Sequence, residues 1–169
     1  FEGPEDYHKR INSKKLKINE NSILIIRGCG PVGYPGSAEV VNMQPPDRLL
    51  KKGINALPTL GDGRQSGTSE SPSILHVSPE SAVGGDLGIV KTGDKMKIDL
   101  NKRRVDLIIN KSEFKKRRRN KKRFKFKNQT PWQEIFRDTV GQLEDGACIN
   151  SRELYLDVSN KKGLPRDSH

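Results

Sequence analysis

Two glycine-bounded loops hold the side chains best suited to chemistry. In Asp62-Gly-Arg-Gln-Ser66-Gly-Thr-Ser69 an acid, a base, an amide and three hydroxyls crowd among glycines. Glycine lets backbone approach a ligand closely, and hydroxyls and exposed amides bind oxygen-rich groups. Ser66 has the chemistry of a nucleophile or a base, but either role needs an activator, and the histidine nearest in sequence is His76. A Ser-His-Asp hydrolase is not indicated, because the G-x-S-x-G elbow is absent. The residues alone leave a polar-ligand site and a structural turn equally open.

The other loop is Gly28-Cys-Gly30-Pro-Val-Gly33-Tyr-Pro-Gly36, followed by Ser37-Ala-Glu39. It matches the G-x-G-x-x-G pattern of dinucleotide folds, where helix amides must face a pyrophosphate. Pro31 and Pro35 remove two amides from that region and no run of βα units follows, so a tight turn is the better reading. Glu39, a carboxylate beside a loop free of bulky side chains, points back towards a site.

Strands are needed to hold these loops. Residues 22–27 form an apolar run of strand length ending at glycine, and residues 54–60 form another that feeds the second loop. A short helix over 46–52 ends at Gly53. Three strands are expected over 87–91, 95–100 and 103–109; Met96, Ile98 and Leu100 alternate with Lys95, Lys97 and Asp99. Ser112 caps a short basic helix, and Thr130-Pro131 is a cap followed by proline at the first helical position. Ile135, Phe136, Val140 and Leu143 make the apolar stripe of that helix, with Trp132 on a core-facing side, and a last helix spans 151–162. Residues 1–20, charged and without a period, read as an entry segment.

The chain has 169 residues with 32 basic against 21 acidic, a net charge of +11 and a pI near 9.8. Ten of those cations lie within residues 115–127, and the remainder carries one net positive charge. No apolar run approaches the ~20 residues that span a bilayer. Two cysteines, Cys29 and Cys148, exclude a disulfide-rich scaffold and a cysteine-based metal site. The N-terminus shows neither a starting Met nor a signal-peptide core, so a piece of something longer, cytoplasmic, is expected.

Three motifs in order, Gly30-Pro-Val-Gly-Tyr-Pro-Gly-Ser-Ala-Glu39, Gly61-Asp-Gly-Arg-Gln-Ser-Gly-Thr68 and His76-Val-Ser-Pro-Glu80 with Gly84-Gly85, resemble the C-terminal domain of the dihydroxy-acid and sugar-acid dehydratases. Gln65 and the tail Thr130-Pro-Trp-Gln-Glu-Ile-Phe136 resemble the pentonate (arabonate or xylonate) branch. The resemblance implies a mixed β/α fold, a swivelling β-barrel-like domain over 21–114 with flanking helices. A basic helix end and linker over 115–129 and a helical extension over 130–169 complete it.

It also implies hydro-lyase chemistry: an aldonate becomes a 2-keto-3-deoxy acid by C2 proton abstraction and loss of the C3 hydroxyl. Glu39 would ligate Mg²⁺, which activates Ser66 as the base, and Thr68 and His169 would bind substrate. An iron–sulfur cluster, 2Fe–2S in type, would be held by an N-terminal domain absent from this chain and take the C3 hydroxyl, leaving the isolated chain inactive. Expected partners are that N-terminal domain, the sugar acid and further copies in a dimer or tetramer, with no membrane. The tail Pro165-Arg-Asp-Ser-His169 departs from the family's pattern at Asp167 and Ser168, which leaves the substrate open. Cys29 reads as a small buried hydrophobe, and His8 and His76 as structural or surface residues. The rival reading is a non-catalytic remnant whose basic run binds nucleic acid, Phe124 and Phe126 stacking on bases. No nucleic-acid-binding fold signature surrounds the run, so a solvated linker is preferred.

Overall fold

The computed structural model describes residues 1–36, 39, 42–66, 70–126, 130–150, 156, 160, 161 and 163. Thr68, His169 and nearly all of the expected 151–162 helix lie outside the described residues. The fold is mixed α/β.

The apolar run at 22–27 becomes β1 (Leu24–Ile26), with Leu24 and Ile26 each 2 % exposed. It pairs in parallel with β2 (Thr59–Gly61), which pairs in parallel with β3 (Ser73–Ile74), in spatial order β1-β2-β3. Central β2 is buried along its whole length, as parallel strands covered on both faces require. The expected 54–60 strand shrinks because Pro58 has no N–H for a ladder, and its carbonyl instead accepts from the Leu24 amide at 2.9 Å. The crossover from β1 to β2 carries α2 (Asp47–Leu50), whose Leu49 is buried.

Residues 1–20 are less featureless than their charge suggests. Pro4 opens α1 (Pro4–Arg10), where a missing amide costs nothing, with acids in its first turn and bases in its last. Tyr7 and then Ile11, four positions apart, turn one face inward and join Ile18, Leu24, Ile26, Cys29, Met43, Leu49 and Leu57 in one core. The Tyr7 hydroxyl donates to the Gln44 carbonyl at 3.0 Å and accepts from the Gln44 amide at 2.7 Å.

Beyond residue 80 the expected meander is only two strands. β4 (Met96–Asp99) and β5 (Arg104–Leu107) make an antiparallel hairpin, while the expected strand at 87–91 gives way over 87–89 to a 3₁₀ turn, Asp86–Ile89, started by the Gly88 amide on the Gly85 carbonyl. Among the described residues no strands close into a barrel. α3 (Lys111–Arg119) is capped by Asn110, whose side chain accepts from the Glu113 amide at 2.8 Å; Ser112 lies inside the helix. α4 (Pro131–Thr139) begins where expected, with Thr130 and Gln133 forming a reciprocal capping box. Trp132 is not core: it is 78 % exposed. α4 meets the body at its other end, through buried Val140 and an Arg137–Val32 carbonyl bond of 3.0 Å, so its first turn projects into solvent. No helix of the described residues is long and apolar enough to cross a membrane.

Candidate active site

The two glycine loops are neighbours because β1 and β2 run parallel and end in register, Ile26 opposite Gly61. Both loops therefore leave the carboxyl end of the same sheet, the edge where open α/β sheets place their ligand crevices. An isolated parallel bridge, Glu39 to Arg64, extends this neighbourhood beyond the strands. It brings exposed Glu39 beside the loop that carries half-buried Ser66 two residues later. Two of the four expected site residues are thus drawn together; Thr68 and His169 fall outside the described residues.

Two fully buried carboxylates give the loops their shape. Asp62 accepts from the amides of Gly28 (3.0 Å), Cys29 (2.9 Å) and Ser81 (2.9 Å) and from the Ser81 hydroxyl (2.6 Å). Glu80 accepts from the amides of Val32 and Gly33, both at 2.8 Å, and from the Gln142 side chain at 2.9 Å. A buried carboxylate is tolerable only when its lone pairs are filled, and backbone amides fill them here. Gly30 must be glycine for this: a Cβ there would lie 2.6 Å from the Glu80 carboxyl carbon.

Sequence reasoning singled out Asp62 as the acid of its loop and Glu80 only as part of a motif; their stapling role was missed. The available signal was slight: one acid between two glycines, Asp62, and one directly after a proline, Glu80.

Gln65 is also buried, 7 % exposed, beneath the loop. Its amide lies 3.4 Å from the Thr59 hydroxyl and its oxygen accepts from the Ser73 hydroxyl at 3.2 Å. It thereby links β2 to β3 next to Ser66. His76 is exposed and its amide bonds the Gly63 carbonyl, a structural role. Cys29 is 1 % exposed, and burial pushes its thiol far up from the ordinary range, so it behaves as a small hydrophobe. Among the described residues no three His, Cys, Asp or Glu side chains gather as a metal set. Glu39 is the carboxylate oxygen this edge can offer a hard cation.

The basic run is largely exposed but anchored at several points. Arg117, 11 % exposed, bonds Asp94 at 2.6 Å and Glu113 at 2.8 Å. Lys121 donates to the Gly84 and Gly85 carbonyls. The Phe124 ring lies against Gly28, where a Cβ would meet it at 2.5 Å, and Arg137 covers Phe126 at 4.6 Å. Both aromatic residues considered for base stacking touch the protein itself, while Phe126 remains 41 % exposed.

Over its whole length the chain is 54% identical to D-xylonate dehydratase of Caulobacter vibrioides, spanning 28% of that protein. Over 69% of the chain it is 47% identical to L-arabinonate dehydratase of Rhizobium leguminosarum bv. trifolii, spanning 20% of it. A dihydroxy-acid dehydratase from Thermodesulfovibrio yellowstonii is 38% identical over 88% of the chain, which spans 26% of it. The chain thus spans less than a third of the length of these relatives. Residues 1–147 match the family described as dihydroxy-acid/6-phosphogluconate dehydratase C-terminal, and the chain belongs to that family.

Proposed function

We propose that this chain is the catalytic C-terminal part of a sugar-acid dehydratase acting on a pentonate, with Ser66 as the base that removes the C2 proton. The observation that carries this is the placement of Glu39 beside the Ser66 loop at the carboxyl end of one parallel sheet. Glu39 supplies a carboxylate oxygen for Mg²⁺, and its exposure leaves that oxygen accessible to further ligands from outside the chain. Bound Mg²⁺ would lower the pKa of a nearby hydroxyl so that it can act near neutral pH. Within the chain, Ser66 Oγ receives the C2 proton, while Asp62 and Glu80 hold the loops through backbone amides. Thr68 and His169 are assigned to substrate oxygens by the family resemblance.

The two cysteines do not suit an iron–sulfur cluster, since Cys29 is buried in the core and Cys148 is exposed on a turn. The 2Fe–2S cluster would belong to an N-terminal domain, where it would supply a Lewis acid. Pairing with that domain, a barrel-like arrangement that swivels against it, and self-association as a dimer or tetramer are parts of the same proposal. So is the inactivity of the 169-residue chain by itself.

The test is solvent deuterium exchange at C2 of a pentonate, using an enzyme of the relatives' full length that carries this domain. Ser66→Ala should slow exchange by at least about 10²–10⁴-fold at unchanged melting temperature. Exchange at the parent rate would remove Ser66 from the role. A parallel fall in melting temperature and activity would make the loop structural.

A further inference from the structure

A second cleft, of about 770 Å³, opens between residues 1–5, the first glycine loop and the basic run. Neither Glu39 nor Ser66 lines it, and the dehydratase reading makes no use of it. Its volume falls in the range of ordinary small-molecule sites.

The cations around it divide into two groups. Arg27 is committed to the Glu2 carboxylate and to the carbonyls of Leu87, Gly88 and Val90. Arg117 is committed to Asp94 and Glu113, and Lys121 to the Gly84 and Gly85 carbonyls. Lys91 reaches Glu113 at 3.8 Å, whereas Lys116, Lys122, Arg123 and Lys125 are exposed, and among the described residues no carboxylate lies within ion-pair distance of these four. Glu2 and Glu113, two of the three acids on the cleft wall, are taken by the committed arginines, leaving Glu5.

Three of the four, Lys122, Arg123 and Lys125, are held in place. Lys121 clamps the run on one side of them, and Phe124, packed against Gly28, pins it between Arg123 and Lys125. A row of cations fixed by its neighbours loses less side-chain and backbone freedom on meeting an anion than a floating arm does. Phosphate oxygens suit such a row, since Lys and Arg are their ordinary partners. The aromatic residues of the run itself already have partners: Phe124 faces Gly28, and Phe126, 41 % exposed, carries Arg137 on its ring.

We propose that this cleft binds a chain of phosphate groups through Lys122, Arg123 and Lys125 without reading bases. The phosphates would come from the polyphosphate of a nucleotide or from the backbone of a single-stranded nucleic acid.

The experiment titrates the 169-residue chain, by calorimetry and by fluorescence anisotropy, with inorganic tripolyphosphate, ATP, CTP and a labelled oligo(dT). Tripolyphosphate, ATP and CTP should bind within about threefold of one another, because charge and not base is recognised. The variant Lys122→Ala/Arg123→Ala/Lys125→Ala should bind each probe at least about tenfold more weakly. Lys51→Ala/Lys52→Ala/Lys102→Ala removes the same charge from exposed positions elsewhere and should change little. Oligo(dT) affinity should fall roughly 20-fold between about 50 and 200 mM salt if three phosphates are engaged.

Tripolyphosphate that fully displaces oligo(dT) supports one shared cleft. Tighter oligo(dT) than tripolyphosphate binding then assigns it to a nucleic-acid backbone, and the reverse to a nucleotide. Equal loss in both triple variants, a tenfold preference between ATP and CTP, or no binding of any probe at low salt would each overturn the proposal. None of these outcomes depends on dehydratase activity.

Discussion

Asp62→Asn is the sharpest test of how the site is built. The substitution keeps size and shape but replaces one acceptor oxygen with an NH₂ group. Asp62 Oδ2 now faces the Gly28 and Ser81 amides and the Ser81 hydroxyl, all donors, with Cys29 on the other oxygen. Gly28 keeps a second acceptor, the Ser81 hydroxyl at 2.9 Å, so it is not orphaned. The Ser81 amide has no such alternative, and a buried unsatisfied donor costs about 1–3 kcal/mol. Turning the amide the other way orphans the Cys29 amide instead. The bonds that survive lose their charge assistance, about another 1 kcal/mol.

A loss of about 2–4 kcal/mol is therefore expected, from a total that for such domains is about 5–15 kcal/mol. In urea, with a slope of about 1–3 kcal/mol per molar, the unfolding midpoint should fall by about 1–2 M. The assay is equilibrium urea unfolding followed by circular dichroism at neutral pH. A midpoint within about 0.3 M of the parent, with the same slope, would refute the account of Asp62 as the staple of both loops.

Two further outcomes follow from ionisation and burial. Burial opposes the Asp94 charge, but the Arg117 guanidinium holds its carboxyl below the usual carboxylate value, and hydrogen bonding to Arg117 does the same for Glu113. Folded values below unfolded ones mean stability that is complete above about pH 5 and lost as pH falls through the folded values; Asp94→Asn should flatten that acid limb in urea midpoints measured against pH. A thiol reagent at neutral pH should modify exposed Cys148 at once and buried Cys29 only after unfolding; labelling of both in the folded chain would contradict the core described here.

Much of the sheet edge was legible because local chemistry writes it. Apolar runs closed by glycine marked β1 and the two loops, and Thr130-Pro131 marked the start of α4 because a cap is a contact within four residues. What escaped was decided at a distance. α1 hides its packing in two residues, Tyr7 and Ile11, of an otherwise charged stretch. The 86–89 segment has strand-like residues yet turns as 3₁₀ where the glycines 85 and 88 let it. Periodicity showed that α4 has an apolar stripe but not how far along the helix the body reaches, and Trp132 lies beyond it. Asp62 and Glu80 were opaque as staples because their partners are backbone amides, which every residue but proline owns. Glu39 and Ser66 stood out by the chemistry of their loops and took their roles from the resemblance; the sheet explains why they are near each other.

The staples also set an order of events. Glu80 ties residues 47, 48 and 62 positions away, and Asp62 reaches back 33 and 34 positions. Contacts across such separations are made only after the intervening chain has closed its loops. A chain emerging N-terminus first can therefore pair β1 with β2 while the 28–33 turn still lacks the side chains that define it. The turn takes its final shape when Glu80 arrives, and its carboxylate is fully satisfied only with Gln142. The crevice edge is thus among the last regions to mature, and its ordering coincides with completion of the fold.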